Sequence, residues 1–145
     1  MTVPMKFPIL LRGAWFGINR EFRDRLKQEC SLTTVQYTVL RNLHEDKRKQ
    51  MNQKSLSLLL SSNKNNSADL LNRMEEKGLV RRKENSSDHR NKDVYLTKKG
   101  EREFLLAREH AVCLQKEALS LFPMEKQESL FSYFSRCNEA LEVID

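Results

Sequence analysis

The apolar pattern of this chain changes period twice, at Gly78 and again at Thr97, and those two switches limit the folds open to it. Before Gly78 the apolar residues recur at spacings of three and four, as they do along helices. Phe7, Leu11, Ala14, Ile18, Phe22 and Leu26 mark the stripe of a long first helix ending near Cys30, with Trp15 and Phe16 beside it. Thr33 and Gln36 stand at capping-box spacing, so Thr33 caps a second helix whose inward face reads as Val35, Val39, Leu40 and Leu43. A charged loop, His44 to Gln50, ends it. Asn52 caps a short third helix with Leu56, Leu59 and Leu60 inward, and Ser61-Ser62 supply a turn. Asn63 caps a fourth helix running to about Lys77, packed through Ala68, Leu70, Leu71 and Met74 and closed by Gly78.

Between the two switches the chain reads as extended. Leu79 to Glu84 and Asn91 to Leu96, with Val94 and Leu96 on one face, pair across the polar turn Asn85 to Arg90. Thr97 then begins a long helix with Leu105, Val112, Ala118 and Leu119 among its apolar positions, and Pro123 interrupts it. In the last helix Leu130, Phe134, Cys137, Leu141 and Ile144 step by four and three. Such a narrow seam suits two subunits, although packing within one chain gives the same spacing. The fold expected is mainly α with a small β-hairpin wing. One winged helix-turn-helix lobe, residues 31–97, is flanked by dimerisation helices at 1–30 and 98–145, all in a single domain.

Charge divides along the same line. The formal net charge is +6. Residues 103–145 hold four basic side chains (Arg108, Lys116, Lys126 and Arg136) against eight acidic ones, so the excess of positive charge sits in the first part. A basic lobe joined to an acidic one suits a polyanion on one side and a different partner on the other. A solvated surface with uneven charge gives the same division, and charge alone fits RNA or an anionic membrane surface equally. Composition, with 39% hydrophobic and 32% charged residues, describes a helix-rich globular protein. No apolar run is long enough for a membrane span and no signal-peptide pattern opens the chain, so a cytoplasmic location is expected. Cys30, Cys113 and Cys137 lack the paired spacing of a zinc or redox site, so no metal and no cofactor is expected.

The candidate DNA-reading residues open the fourth helix. Lys64, Asn65, Asn66 and Ser67 offer charge and amides without bulk; amides pair bidentately with adenine in the major groove, and lysine reaches guanine or phosphate. Asn63 reads better as a cap. Arg73 is a phosphate or intramolecular salt-bridge residue. The hairpin carries Arg81, Arg82, Lys83, Arg90 and Lys92 against Glu84 and Asp88, with His89 beside Arg90 at the tip. A narrow minor groove attracts an arginine so placed, and Asp88 is positioned to orient it. A solvated basic loop is the competing reading.

The run Gly78-Leu79-Val80-Arg81-Arg82, then Asp88-His89-Arg90, Val94-Tyr95-Leu96-Thr97 and Gly100, resembles the wing signature of the MarR family of bacterial regulators in order and spacing. Leu32-Thr33 with Gln36 and Leu40 matches as well. The resemblance implies a homodimer in which the first, fifth and sixth helices intertwine and two lobes enter successive major grooves of a pseudo-palindromic double-stranded DNA operator, with Arg90 in the minor groove. It further implies a repressor released by a small-molecule ligand held between dimerisation region and DNA lobe. Phe7, Leu11, Leu130, Phe134, Leu141 and Ile144 are the dimerisation candidates. Trp15, Phe16, Phe22 and Tyr37 are candidates to line a pocket for a small aromatic or lipophilic effector, with core packing as the competing role. Two departures stand out. Ser57 replaces a usual alanine, and no cysteine lies near the start of the first helix, where peroxide-sensing members carry one.

Two other classes compete. His110 and Cys113 stand one helical turn apart, but no third orienting group or glycine-rich loop accompanies them, so an enzyme is not expected. A winged helix that binds protein instead of DNA calls for an acidic wing or a neutral recognition helix, and this wing is basic.

Overall fold

The computed structural model describes residues 6–60 and 64–141, with backbone alone for Lys64 and Asn65. The Ser61-Ser62 turn, the Asn63 cap and Ile144 lie outside the described residues.

Helix α1 (Phe7–Glu29) ends where expected, and Leu32 beyond it enters the core. Thr33 caps α2 (Thr34–Glu45) through a complete capping box. Its hydroxyl accepts the Gln36 N–H at 3.2 Å, and the Gln36 amide oxygen accepts the Thr33 N–H at 3.0 Å. That bond also turns Gln36 inward, leaving it 4% exposed. Val35, expected on the inner face, is 46% exposed instead, because the box sets the phase of the first turn and gives position 36 the inner place.

The charged loop after α2 leads, at its last residue, into a strand absent from the sequence reading, β1 (Gln50–Asn52), entered through Lys49 at φ 56°. Three residues are too few to show alternation in a sequence. Asn52 then caps α3 (Gln53–Leu59) by accepting the Lys54 N–H at 2.9 Å. Leu56 is buried, whereas Leu59 and Leu60 are half-buried. Helix α4 (Lys64–Glu76) closes on Gly78, whose φ of 72° is the left-handed conformation a glycine adopts without strain. The Leu79 N–H reaches the Met74 carbonyl and the Gly78 N–H the Glu75 carbonyl, both at 2.9 Å, completing the paired C-terminal motif.

The wing is β2 (Val80–Glu84) and β3 (Lys92–Leu96), each a residue shorter than the pattern suggested. The antiparallel sheet runs β1-β3-β2, with Val80 opposite Leu96 and Met51 opposite Val94. Val80 and Val94 are fully buried against Leu43, Leu56, Leu71 and Met74.

Thr97 caps α5 (Lys98–Leu119), its hydroxyl accepting the Gly100 N–H at 2.9 Å and donating to the Gly78 carbonyl at 2.6 Å. Helix α5 packs on α1 and α2 through Phe104, Ala107 and Leu114. Leu105 and Val112, named among its apolar positions, are exposed: α5 has apolar residues on two faces, and only one of them meets the lobe. Pro123 begins α6 (Met124–Ala140), which buries no residue. No described helix is long and apolar enough to cross a membrane.

Arg25 ties α1 to α5, its two terminal nitrogens donating to the Glu117 carboxylate at 2.6 and 3.2 Å while Nε donates to Glu21 at 2.9 Å. The arrangement holds the Glu117 carboxyl below its ordinary range. Both carboxylates face water, so the pair orients the helices more than it stabilises them.

At Gly100 the start of α5 lies against the backbone that leads into β2. A Cβ there would stand 2.1 Å from the Leu79 carbonyl oxygen. Gly100→Ala is therefore expected to cost about 1–3 kcal/mol through overpacking against backbone, read as a lower urea midpoint with unchanged slope.

Candidate nucleic-acid interface

The wing turn is built by side-chain-to-backbone hydrogen bonds. Asn85 accepts the N–H groups of Ser87 at 2.8 Å and Asp88 at 3.1 Å. Asp88 accepts the Arg90 N–H at 3.0 Å and the Asn91 amide at 2.7 Å. The acidic residue thus fixes the backbone of Arg90 and leaves its guanidinium exposed, with no partner among the described residues. At the base of the turn Asn85 also donates to Asp93, at 2.9 Å. His89 is exposed, with Nδ1 3.5 Å from the Glu84 carboxylate.

Arg90 and Lys92 share one concavity of about 760 Å³ with Lys54 and Ser57 of α3 and Ala68 and Asn72 of α4. Ala68 and Asn72 are four apart and therefore on one helix face. Gln53 stands on the same wall, its Oε1 buried with no hydrogen-bond partner among the described residues. At the opening of α4, Asn66 is exposed and no acidic residue occupies the first turn. The positive end of the helix dipole there lacks a counter-charge from its own first turn.

Two expected DNA contacts are taken up within the lobe. Ser67 is 2% exposed, because its position on α4 falls on the side packed against the lobe. Arg82 turns onto α4, its Nε and Nη2 reaching the Glu75 carboxylate at 3.0 and 2.9 Å and Nη2 also reaching Asn72. The other oxygen of Glu75 accepts the Arg82 backbone N–H at 3.1 Å. Burial raises the Glu75 carboxyl, but these bonds outweigh it and hold the group below its ordinary range. Arg73 is exposed and does not line the concavity.

Lys54, Asn72 and Asn91 were missed from the sequence. The signal for Lys54 was a cation in the first turn of a helix, where the dipole disfavours one.

The four aromatic candidates divide into two pairs. Trp15 and Phe16 are exposed and pack edge-to-face at 5.0 Å, whereas Phe22 meets Tyr37 at 4.9 Å and Tyr37 stacks on buried Phe104 at 5.4 Å. Of the dimerisation candidates, Phe7, Leu11 and Leu141 are exposed, and Leu130 and Phe134 half-buried. Burial pushes the Cys30 thiol up, away from reactivity. No cluster of metal-ligating side chains occurs among the described residues.

The family model described as MarR matches residues 32–92, from the start of the lobe to the first residue of β3. Transcriptional regulator HosA of Escherichia coli O127:H6 is 34% identical over 97 residues, covering 67% of this chain and 70% of that protein. Among solved structures, the MarR family regulator Sco3205 of Streptomyces coelicolor, in complex with DNA, superposes with a TM-score of 0.81 at 21% identity, over 97% of this chain and 91% of that one. AbsC, from the same organism, gives 0.80 at 22% identity, over 98% of both chains. The S. aureus MepR–DNA complex gives 0.81 at 19% identity, over 92% of this chain and 97% of that one. These likenesses carry the winged-helix fold alone; the family-model match and the HosA relative show that the chain belongs to the MarR family of transcriptional regulators.

Proposed function

We propose that this chain regulates transcription by binding double-stranded DNA sequence-specifically as a homodimer on a pseudo-palindromic operator, acting as a repressor. The observation that carries the reading is the shared concavity, where cations of the wing and of α3 converge on one face of α4. Lys54, Lys92 and the opening of α4 supply phosphate contacts that set register. Asn66, with Asn65 and Lys64 beside it in sequence, reads bases, and Arg90 enters the minor groove. In the DNA complexes of Sco3205 and MepR the partner is that of those proteins. Here the reading rests on the same fold bearing this chain's own cations.

A second copy is the partner implied by the apolar faces of α1, α5 and α6, where Ile9, Leu10, Leu106 and Phe131 are exposed together with the dimerisation candidates. Pairing through those faces buries them and presents two lobes to one side of a duplex.

Log affinity for a duplex should fall linearly with log salt, by about 0.9 per phosphate neutralised; a salt-insensitive complex overturns the reading. Arg90→Ala is expected to weaken operator binding roughly tenfold, about 1.4 kcal/mol, with an unchanged melting transition, since its side chain leaves the core untouched. Fluorescence anisotropy against a selected genomic fragment measures it. Asn66→Ala should shift preference among operator variants by about 1–3 kcal/mol at one base pair, and a uniform loss on every sequence would show that Asn66 is not a base reader. Leu10→Glu should give monomer mass in light scattering while leaving the lobe folded.

A further inference from the structure

We infer that Glu75 and Arg82 form a strut that holds the wing at a set angle on α4, and that both residues act on operator choice through that angle and not by touching DNA. The inference rests on the DNA-binding reading above and deepens it.

Strand β2 is an edge of the sheet. The Arg82 N–H points away from β3 and donates to Glu75 at 3.1 Å, so a carboxylate takes the place of a neighbouring strand. The same carboxylate holds the Arg82 guanidinium through Nε at 3.0 Å and Nη2 at 2.9 Å, and Nη2 also reaches Asn72, three residues earlier on α4. Backbone and side chain of one wing residue are thereby bound to a single turn of the helix. A planar guanidinium fork allows little rotation about such a joint, which a lysine would not match.

The joint is sheltered as well as close. The Arg82 side chain is 13% exposed, so water competes poorly for it. Its position is also that of a pivot. Arg90 stands at the far end of the hairpin from Arg82 while Asn72 and Arg82 both border the concavity that Arg90 lines. With about 3.4 Å of rise per strand residue, a tilt of about 10° at the joint moves a group three residues further out by roughly 2 Å. Contacts to bases tolerate far less than that.

Charge gives the test a sign. Glu75 is an anion bordering a surface read as DNA-binding, so by charge alone its removal strengthens binding to any duplex. By charge alone, too, loss of Arg82 as a phosphate contact weakens binding and lowers the log–log salt slope by about one. The strut requires something different of both residues.

The experiment measures affinity of the full chain for a genomic duplex selected by wild-type protein and for a scrambled duplex of equal length, across a salt series. Glu75→Ala, Arg82→Ala and the double variant are compared, with thermal melts on each. Expected are a roughly tenfold loss on the selected duplex for either single variant, a double variant no worse than either, and a salt slope equal to wild type. On the scrambled duplex Glu75→Ala should bind as well as wild type or better. Should Glu75→Ala fail to fold, Glu75→Gln keeps the shape, removes the charge and carries the same expectation. Unchanged or tighter binding of the selected duplex by the Glu75 variant, additive losses in the double variant, or a slope lowered by about one in Arg82→Ala overturns the inference alone. A wild-type chain that binds no duplex overturns the DNA-binding reading beneath it.

Discussion

The hydroxyl of Thr97 joins three elements at one point. It caps α5 through Gly100 and reaches back to the carbonyl of Gly78, at the turn between α4 and β2. The close approach that Gly100 permits against Leu79 brings the start of α5 onto the same turn. Lys99 adds a third tie, its Nζ 2.7 Å from the Lys77 carbonyl at the end of α4. The end of α4, both roots of the wing and the start of α5 are therefore tied together at one junction.

That junction explains why the functional groups lie where they do. Val80 and Val94, buried on the inner face of the sheet, fix which wing residues turn inward and which turn outward. The wing's cations then divide by role. Arg90 and Lys92 border the open concavity, Arg82 is bound to α4, and Lys83 lies over the Tyr95 ring, 5.7 Å from its centre. Asp88 and Asn85 spend their oxygens on backbone N–H groups of the turn, so the tip is held without drawing on the side chain of Arg90.

Much of the fold was readable because its punctuation is local. Thr33, Asn52, Gly78 and Thr97 act on backbone within a few residues of themselves, and all four sit at the helix ends expected of them. What the sequence concealed depends on partners distant along the chain. Strand β1 exists because β3 pairs with it, and three residues show no period. Val35 lost its inner place to a glutamine that a polarity pattern counts as outward. On α5 two apolar faces are superposed in one sequence, and spacing cannot say which of them meets the lobe. At the site, Arg90 and the opening of α4 were legible from charge and turn chemistry. Arg82 was misjudged because a basic residue in a basic wing gives no sign that Glu75, seven residues earlier, has taken it.

Helix α6 buries none of its residues within the chain. Leu130, Phe134 and Cys137 are half-buried and Gln127 donates to the Leu119 and Phe122 carbonyls, so only a few side-chain contacts within the chain add to its own backbone bonds. On the proposed pairing of two copies, the order of this helix becomes subject to mass action. The amount of this protein in a cell would then govern more than how often an operator is occupied: below some abundance the C-terminal segment would melt, exposing apolar side chains to degradation machinery and setting a floor under the working concentration.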